Sequence, residues 1–150
     1  MKNILLIILL MIIITSSCKY DKMQPKQPKV DIGGIWSCTD AQKFDSAKLA
    51  NKLIGAWKWA GHDNGGGDWI DADKNVIVKY DSTGNFTFQE DTAITNGQWS
   101  LYITDFTYYG ISMSNVTGIY FYGQILLCDN ELLFDAGYID GPDNLFLKIQ

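Results

Sequence analysis

Few residues in this chain have the types and spacing that chemistry needs. The 150 residues contain one histidine, His62, set in Gly61-His62-Asp63-Asn64-Gly65-Gly66-Gly67-Asp68. A general base needs a positioned partner and a nucleophile within reach, and an adjacent Asp63 on a glycine-rich stretch pre-organises neither. The expectation is a solvent-exposed loop histidine, and no catalytic residue is assigned. Asp71-Ala72-Asp73-Lys74-Asn75 has the carboxylate spacing that opens a calcium loop. Its sixth position is Val76 where the turn needs glycine, and its twelfth is Ser82 rather than a bidentate glutamate. The EF-hand pattern fails, which leaves a solvated loop or an irregular oxygen-ligand site. Gly65 to Gly67 precede no Gly-Lys-Ser/Thr and no helix, so they make no phosphate cradle. A carboxylate-pair hydrolase needs two acids facing each other in a cleft, and spacing alone locates no such pair.

The cysteines are more informative. Met1-Lys2-Asn3, the unbroken apolar run Ile4 to Ile14, and Thr15-Ser16-Ser17 before Cys18 read as a secretory signal over residues 1–17. The apolar core is too short to span a bilayer comfortably. Small residues directly before Cys18 resemble a lipoprotein signal, in which the thiol takes a diacylglycerol and becomes the mature N-terminus. Thr15 stands where such signals usually carry leucine, and the other reading is an ordinary cleaved signal with an incidental cysteine. With Cys18 lipidated, Cys38 and Cys128 remain as an even pair in an oxidising compartment, either bridged or as two buried thiols. A bridge would close a loop of about ninety residues, which the chain-entropy model values at roughly 4–5 kcal/mol. Once they are bridged, zinc has too few His and Cys ligands, and no metal or other cofactor is expected.

Composition narrows the partners. The formal net charge is −5 and there is no arginine, so no basic stripe and no bidentate phosphate or guanine reader exists for nucleic acid. Five Trp, eight Tyr and seven Phe suit a dense core in a small secreted β-domain.

Three segments follow from these patterns. Residues 1–17 are the signal, and residues 18–34, rich in lysine with Pro25 and Pro28, form a flexible tether. Residues 35–150 form the folded domain. Asp45 or Ser46 caps a short helix with Leu49, Ala50, Leu53 and Ile54 at helical spacing. Beyond it the chain reads as strands at 53–60, 75–81, 84–90, 97–103, 109–116, 118–127, 131–136 and 144–149. Leu53, Gly55, Trp57 and Trp59 share one side of the first strand by period 2, and Gly55 marks a sharp entry into it. Asp81 to Asn85 is a hairpin loop, and Asp140-Gly141-Pro142-Asp143 is a turn. Eight strands joined by short turns fit an up-and-down antiparallel barrel, all-β apart from the short helix, with a β-sandwich as the alternative.

The helix leading into Gly55-Ala56-Trp57, the Tyr80-to-Phe86 hairpin, Gly97-Gln98-Trp99 and the closing 129–133 and 140–149 stretches resemble the lipocalin-like (calycin) domains of Bacteroidota lipoproteins. The resemblance covers Ser46 to Gln150. It implies a lipid-anchored, non-enzymatic, monomeric barrel at the outer membrane, on its periplasmic or surface side. Gly55 and Trp57 would close one end, and a late cation would pack over Trp57. Lys148 is the only late cation here, in place of the usual arginine. Trp59, Tyr80, Phe88, Trp99 and Phe121 would face inward, with Val78 and Leu101, and line a cavity for a small apolar or amphipathic ligand. The competing expectation is a structural or protein-interaction module whose rings fill that interior. Asp45-Ser46-Ala47, Asp81-Ser82-Thr83 and Asp91-Thr92-Ala93 resemble the O-glycan acceptor of the same bacteria, making Ser46, Ser82 and Thr92 candidate sites. The same pairs also serve as caps and turns.

Overall fold

The strands are written in alternation. Inward residues Trp57/Trp59, Val76/Val78/Tyr80, Phe86/Phe88, Leu132/Phe134 and Phe146 are all at most 8% exposed, while Lys58, Lys79 and Thr87 between them are exposed. In a computed structural model this pattern closes into a nearly complete barrel. The structure describes residues 30–65, 68–104, 107–116 and 118–149. Residues 1–17, Cys18 and most of the tether lie outside the described residues.

Among the described residues two helices precede the sheet, α1 (Ile32–Gln42) and α2 (Ser46–Leu53). The strands are β1 (Gly55–Asp63), β2 (Trp69–Asp71), β3 (Val76–Tyr80), β4 (Asn85–Glu90) and β5 (Ala93–Ile103). They continue with β6 (Tyr109–Met113), β7 (Gln124–Cys128), β8 (Glu131–Asp135) and β9 (Asp143–Ile149). All ladders are antiparallel, in the order β6-β5-β4-β3-β1-β9-β8-β7, with the short β2 added on β1. The chain is therefore a meander whose last strand, β9, returns to pair with the first. Strands β6 and β7 end the sheet and lie alongside each other without a ladder, which leaves one seam.

Several expectations change in detail. The tether expected over residues 18–34 ends sooner, since α1 begins at Ile32 with Asp31 as its N-cap, accepting from Gly34 N at 3.0 Å. Val30 and Ile32 already pack against the domain. Strand β2 has no place among the expected strands, being three residues long between loops. Residues 118–123 do not extend β7. Ile119–Phe121 is a single 3₁₀ turn, and it directs Phe121 into the barrel.

The two helices do different work. Asp45 caps α2 by accepting from Lys48 N at 2.8 Å, and Leu49 and Leu53 enter the barrel core, so α2 plugs one end. Helix α1 lies outside. It packs Ile35 on Leu126, Leu133 and Leu145, the outward neighbours of the core residues, in a second apolar cluster. That is why β7 and β8 read as unbroken apolar runs rather than alternating ones: both of their faces are covered.

Candidate functional site

At the α2 end, barrel side chains satisfy the helix's terminal carbonyls. Trp57 Nε1 donates to Leu53 O at 2.7 Å, and Lys148 Nζ donates to Lys52 O at 3.1 Å. The same Lys148 Nζ stands 5.0 Å from the Trp57 ring centroid, in cation–π range. Gly55 has a φ of 126°, and a Cβ there would sit 3.2 Å from Lys148 Cε, so a side chain would press on this contact. Gly55, Trp57 and Lys148 thus meet at one closed end.

The five interior candidates come together, but as a packed cluster. Tyr80 and Trp99 meet edge-to-face at 5.3 Å between ring centroids, and Tyr80 Oη lies 3.6 Å from Met113 Sδ. Phe121 enters from the end opposite α2 and packs on Phe88 (5.5 Å), Phe134 (5.4 Å), Phe146 (5.5 Å) and Tyr120 (6.3 Å). Trp59 meets Tyr120 at 5.1 Å. Burial holds the Tyr80 hydroxyl above the ordinary tyrosine range, so it stays neutral. Val78 and Leu101 also face this core.

Asn144, which sequence reasoning passed over, ties the cluster down. It is fully buried, accepts from Trp59 Nε1 at 3.1 Å, and donates to Ile119 O at 3.1 Å and Pro142 O at 3.3 Å. One side chain thereby joins β1, β9 and the turn that carries Phe121. An asparagine in an apolar strand, Asn144-Leu145-Phe146, was the available signal.

His62 is not on a loop. It lies in β1, half-buried, with its ring stacked on Trp59 at 5.8 Å, because the strand runs on past a bulge at Trp59/Gly61 to Asp63, where β2 and β9 pair with it on either side. Asp71 belongs to β2 and accepts from Trp69 Nε1 at 3.0 Å. Among the described residues no three His, Cys, Asp or Glu side chains group as a ligand set.

At the seam, Cys38 of α1 and Cys128 of β7 stand at disulfide distance, with Cα atoms 5.6 Å apart. Next to them Thr39 Oγ1 accepts from Leu127 N at 2.9 Å and lies 3.2 Å from Leu127 O, so one hydroxyl serves the edge of β7 that lacks a strand partner. Tyr108, beside β6, donates to Asp40 at 2.7 Å and meets Trp36 edge-to-face at 5.2 Å. Helix α1 therefore bridges the two strands that the ladder leaves apart. A cleft of about 210 Å³ opens here, lined by Thr39, Lys43, Phe44, Leu49, Tyr109 and Ile125. Two larger surface hollows, about 520 and 440 Å³, lie on the β3–β5 outer face and beside Asp71 and Lys74.

A carboxylate pair that spacing could not locate lies at the end opposite α2. Asp135 closes β8 and Asp143 opens β9, and the Oδ1 of each accepts from Gly137 N, at 3.0 and 2.9 Å. Desolvation first, then the hydrogen bond and charge of Asp135, push Asp143 up to about 6. Sharing one backbone donor, the two groups stand side by side rather than apart across a cleft, unlike the separated acids of a glycosidase. Ser46, Ser82 and Thr92 are all exposed, at the start of α2 and in two hairpin turns.

The chain matches no protein-family model, no curated protein and no solved structure.

Proposed function

We propose that this chain is a non-enzymatic accessory barrel of the cell envelope, lipocalin-like in architecture and tethered by a lipid on Cys18, that acts through its outer surface. One observation carries the reading: the interior is occupied by its own side chains. Phe121 fills the end opposite α2, Leu49 and Leu53 fill the other, and Tyr80, Phe88, Trp99 and Trp59 pack on these and on neighbouring rings. Each ring takes up volume that a ligand would need. The Lys148–Trp57 contact at the closed end supports the lipocalin-like reading, since it reproduces with lysine what the resemblance implies for arginine. Exposed Ser46, Ser82 and Thr92 are accessible to a glycosylating enzyme, and a glycan there would also belong to the outer surface.

The second reading, a small apolar ligand, is favoured by the seam cleft, where Leu49, Tyr109 and Ile125 give a way to the core from the side. Tryptophan fluorescence of the full chain in detergent, titrated with fatty acids and small aromatics, separates the two. The filled barrel predicts no spectral change and no thermal shift. A saturable change accompanied by a higher melting temperature would replace it with the ligand-binding reading. The anchor is tested apart from both: Cys18→Ala should release the chain from membranes.

A further inference from the structure

The pair Asp135–Asp143 has more acceptors than donors can serve. Asp135 pairs across the sheet with Gln124 of β7, and Asp143 follows next to it at the start of β9, so the three side chains stand in one row on the outer side. Asp143 Oδ1 accepts from Ala136 N and Gly137 N, both at 2.9 Å. Asp135 Oδ1 accepts from Gly137 N at 3.0 Å, and its Oδ2 from Gln124 Nε2 at 2.6 Å. These bonds hold the two carboxylates and the amide together, yet they leave three oxygens with spare lone pairs: Asp143 Oδ2, Asp135 Oδ2 and Gln124 Oε1. Gln124 is 3% exposed and its Oε1 is buried with no partner, a state that costs about 1–3 kcal/mol for an ordinary amide oxygen.

Among the described residues, positive charge is what the row lacks. Among the described residues the ion pairs are Lys48–Asp45 and Lys74–Glu90, both elsewhere. Across β1–β9 the register partner of Asp143 is Asp63, whose Oδ1 accepts from Gly65 N. A shared proton would relieve the two carboxylates and still leave Gln124 Oε1 unsatisfied. A cation answers both.

We propose that Asp135, Asp143 and the amide oxygen of Gln124 form a binding site for Ca²⁺. The donor set is oxygen only, which selects a hard cation. Three protein oxygens on three strands are an irregular set. Ca²⁺ accepts irregular coordination completed by water, whereas Mg²⁺ demands a near-ideal octahedron. Asp143 is only half-buried, so water has access to that side. The bound ion would pin the 136–142 loop, which presents Tyr138 and Ile139, each 41% exposed, at this end of the barrel. Two carboxylates place the affinity with extracellular modules, at a Kd of about 10⁻⁴–10⁻³ M.

The test uses the full chain in detergent and the metal alone, by calorimetric titration and thermal melting. Compared with chelator, 10 mM CaCl₂ should raise the melting temperature by on the order of 5 °C, and MgCl₂ or NaCl of equal ionic strength should do much less. Asp143→Asn keeps an Oδ1 for Ala136 and Gly137 but should lose the Ca²⁺ shift. Gln124→Met, similar in shape without the oxygen, should weaken Ca²⁺ at least tenfold. No Ca²⁺ shift in the native chain would overturn the site and leave a proton-sharing pair. A shift that persists unchanged in Asp143→Asn would overturn it as well. Should that variant fail to fold, Gln124→Met decides alone, and an unaltered Ca²⁺ affinity in it refutes the assignment.

Discussion

Trp57 shows how one residue can serve three neighbours. Its ring fills the α2 end of the core, its Nε1 takes the last carbonyl of α2, and its face receives Lys148. Trp57→Phe keeps an aromatic ring but leaves Leu53 O buried without a donor and opens space beside Leu49. The expected cost is about 2–4 kcal/mol, from the unmade hydrogen bond and the lost volume. Lys148→Met keeps most of the stem and removes only the charge and the donor, so it should cost about 0.5–1.5 kcal/mol. Urea melts of both variants check the order. Equal losses would mean that the cation, rather than the ring, holds the cap. The tryptophan was legible from period 2 and the Gly-x-Trp pattern. Asn144, Gln124 and Asp135 were not, because a buried polar residue is recognisable only by its partners, and those partners come from other strands.

At the scale of elements, the sheet was readable and the seam was not. Alternation in 76–80, 85–90 and 97–103 placed those strands within a residue or a few, because a sheet face in contact with a core must alternate. Residues 32–42 gave no such signal. Helix α1 buries only a narrow strip, Ile35 and Thr39, and opens with two glycines, so it has weak amphipathic character. Its place is set from outside, by Cys128, by the edge of β7 and by Tyr108. Residues 118–127 read as one strand for another reason: Ile119, Phe121 and Ile125 fall on a period of two, although of these only Ile125 is in a ladder. If α1 is the seal of the seam, then losing the Cys38–Cys128 link should be felt beyond the helix. With the two cysteines 90 positions apart, Cys38→Ala/Cys128→Ala should lose about 4–5 kcal/mol in the chain-entropy model. Hydrogen exchange should show β6 and β7 losing protection together. Protection lost in α1 alone would mean that β6 and β7 hold the seam without the helix.

For the whole molecule, what decides between a carrier and a solid barrel is the Phe121 wedge. Strand β7 does not start until Gln124, so the preceding turn is free to fold inward, and it does so where an open barrel would have its mouth. Phe121 is 8% exposed and surrounded by Phe88, Tyr120, Phe134 and Phe146. Phe121→Ala should cost about 3–5 kcal/mol, the usual loss when a buried ring is truncated and the walls relax only partly. Here the walls are other rings, already in edge-to-face contact with one another at 5.7 Å for Phe134 and Phe146. They have little freedom to collapse, so the space should persist as a dry apolar cavity. Dry cavities of this kind take up benzene-sized molecules. The variant, but not the native chain, should therefore gain thermal stability on adding benzene or indole. A native chain that gains as much as the variant would show that the barrel already holds open space. A variant that is destabilised but gains nothing would mean that the walls have closed in.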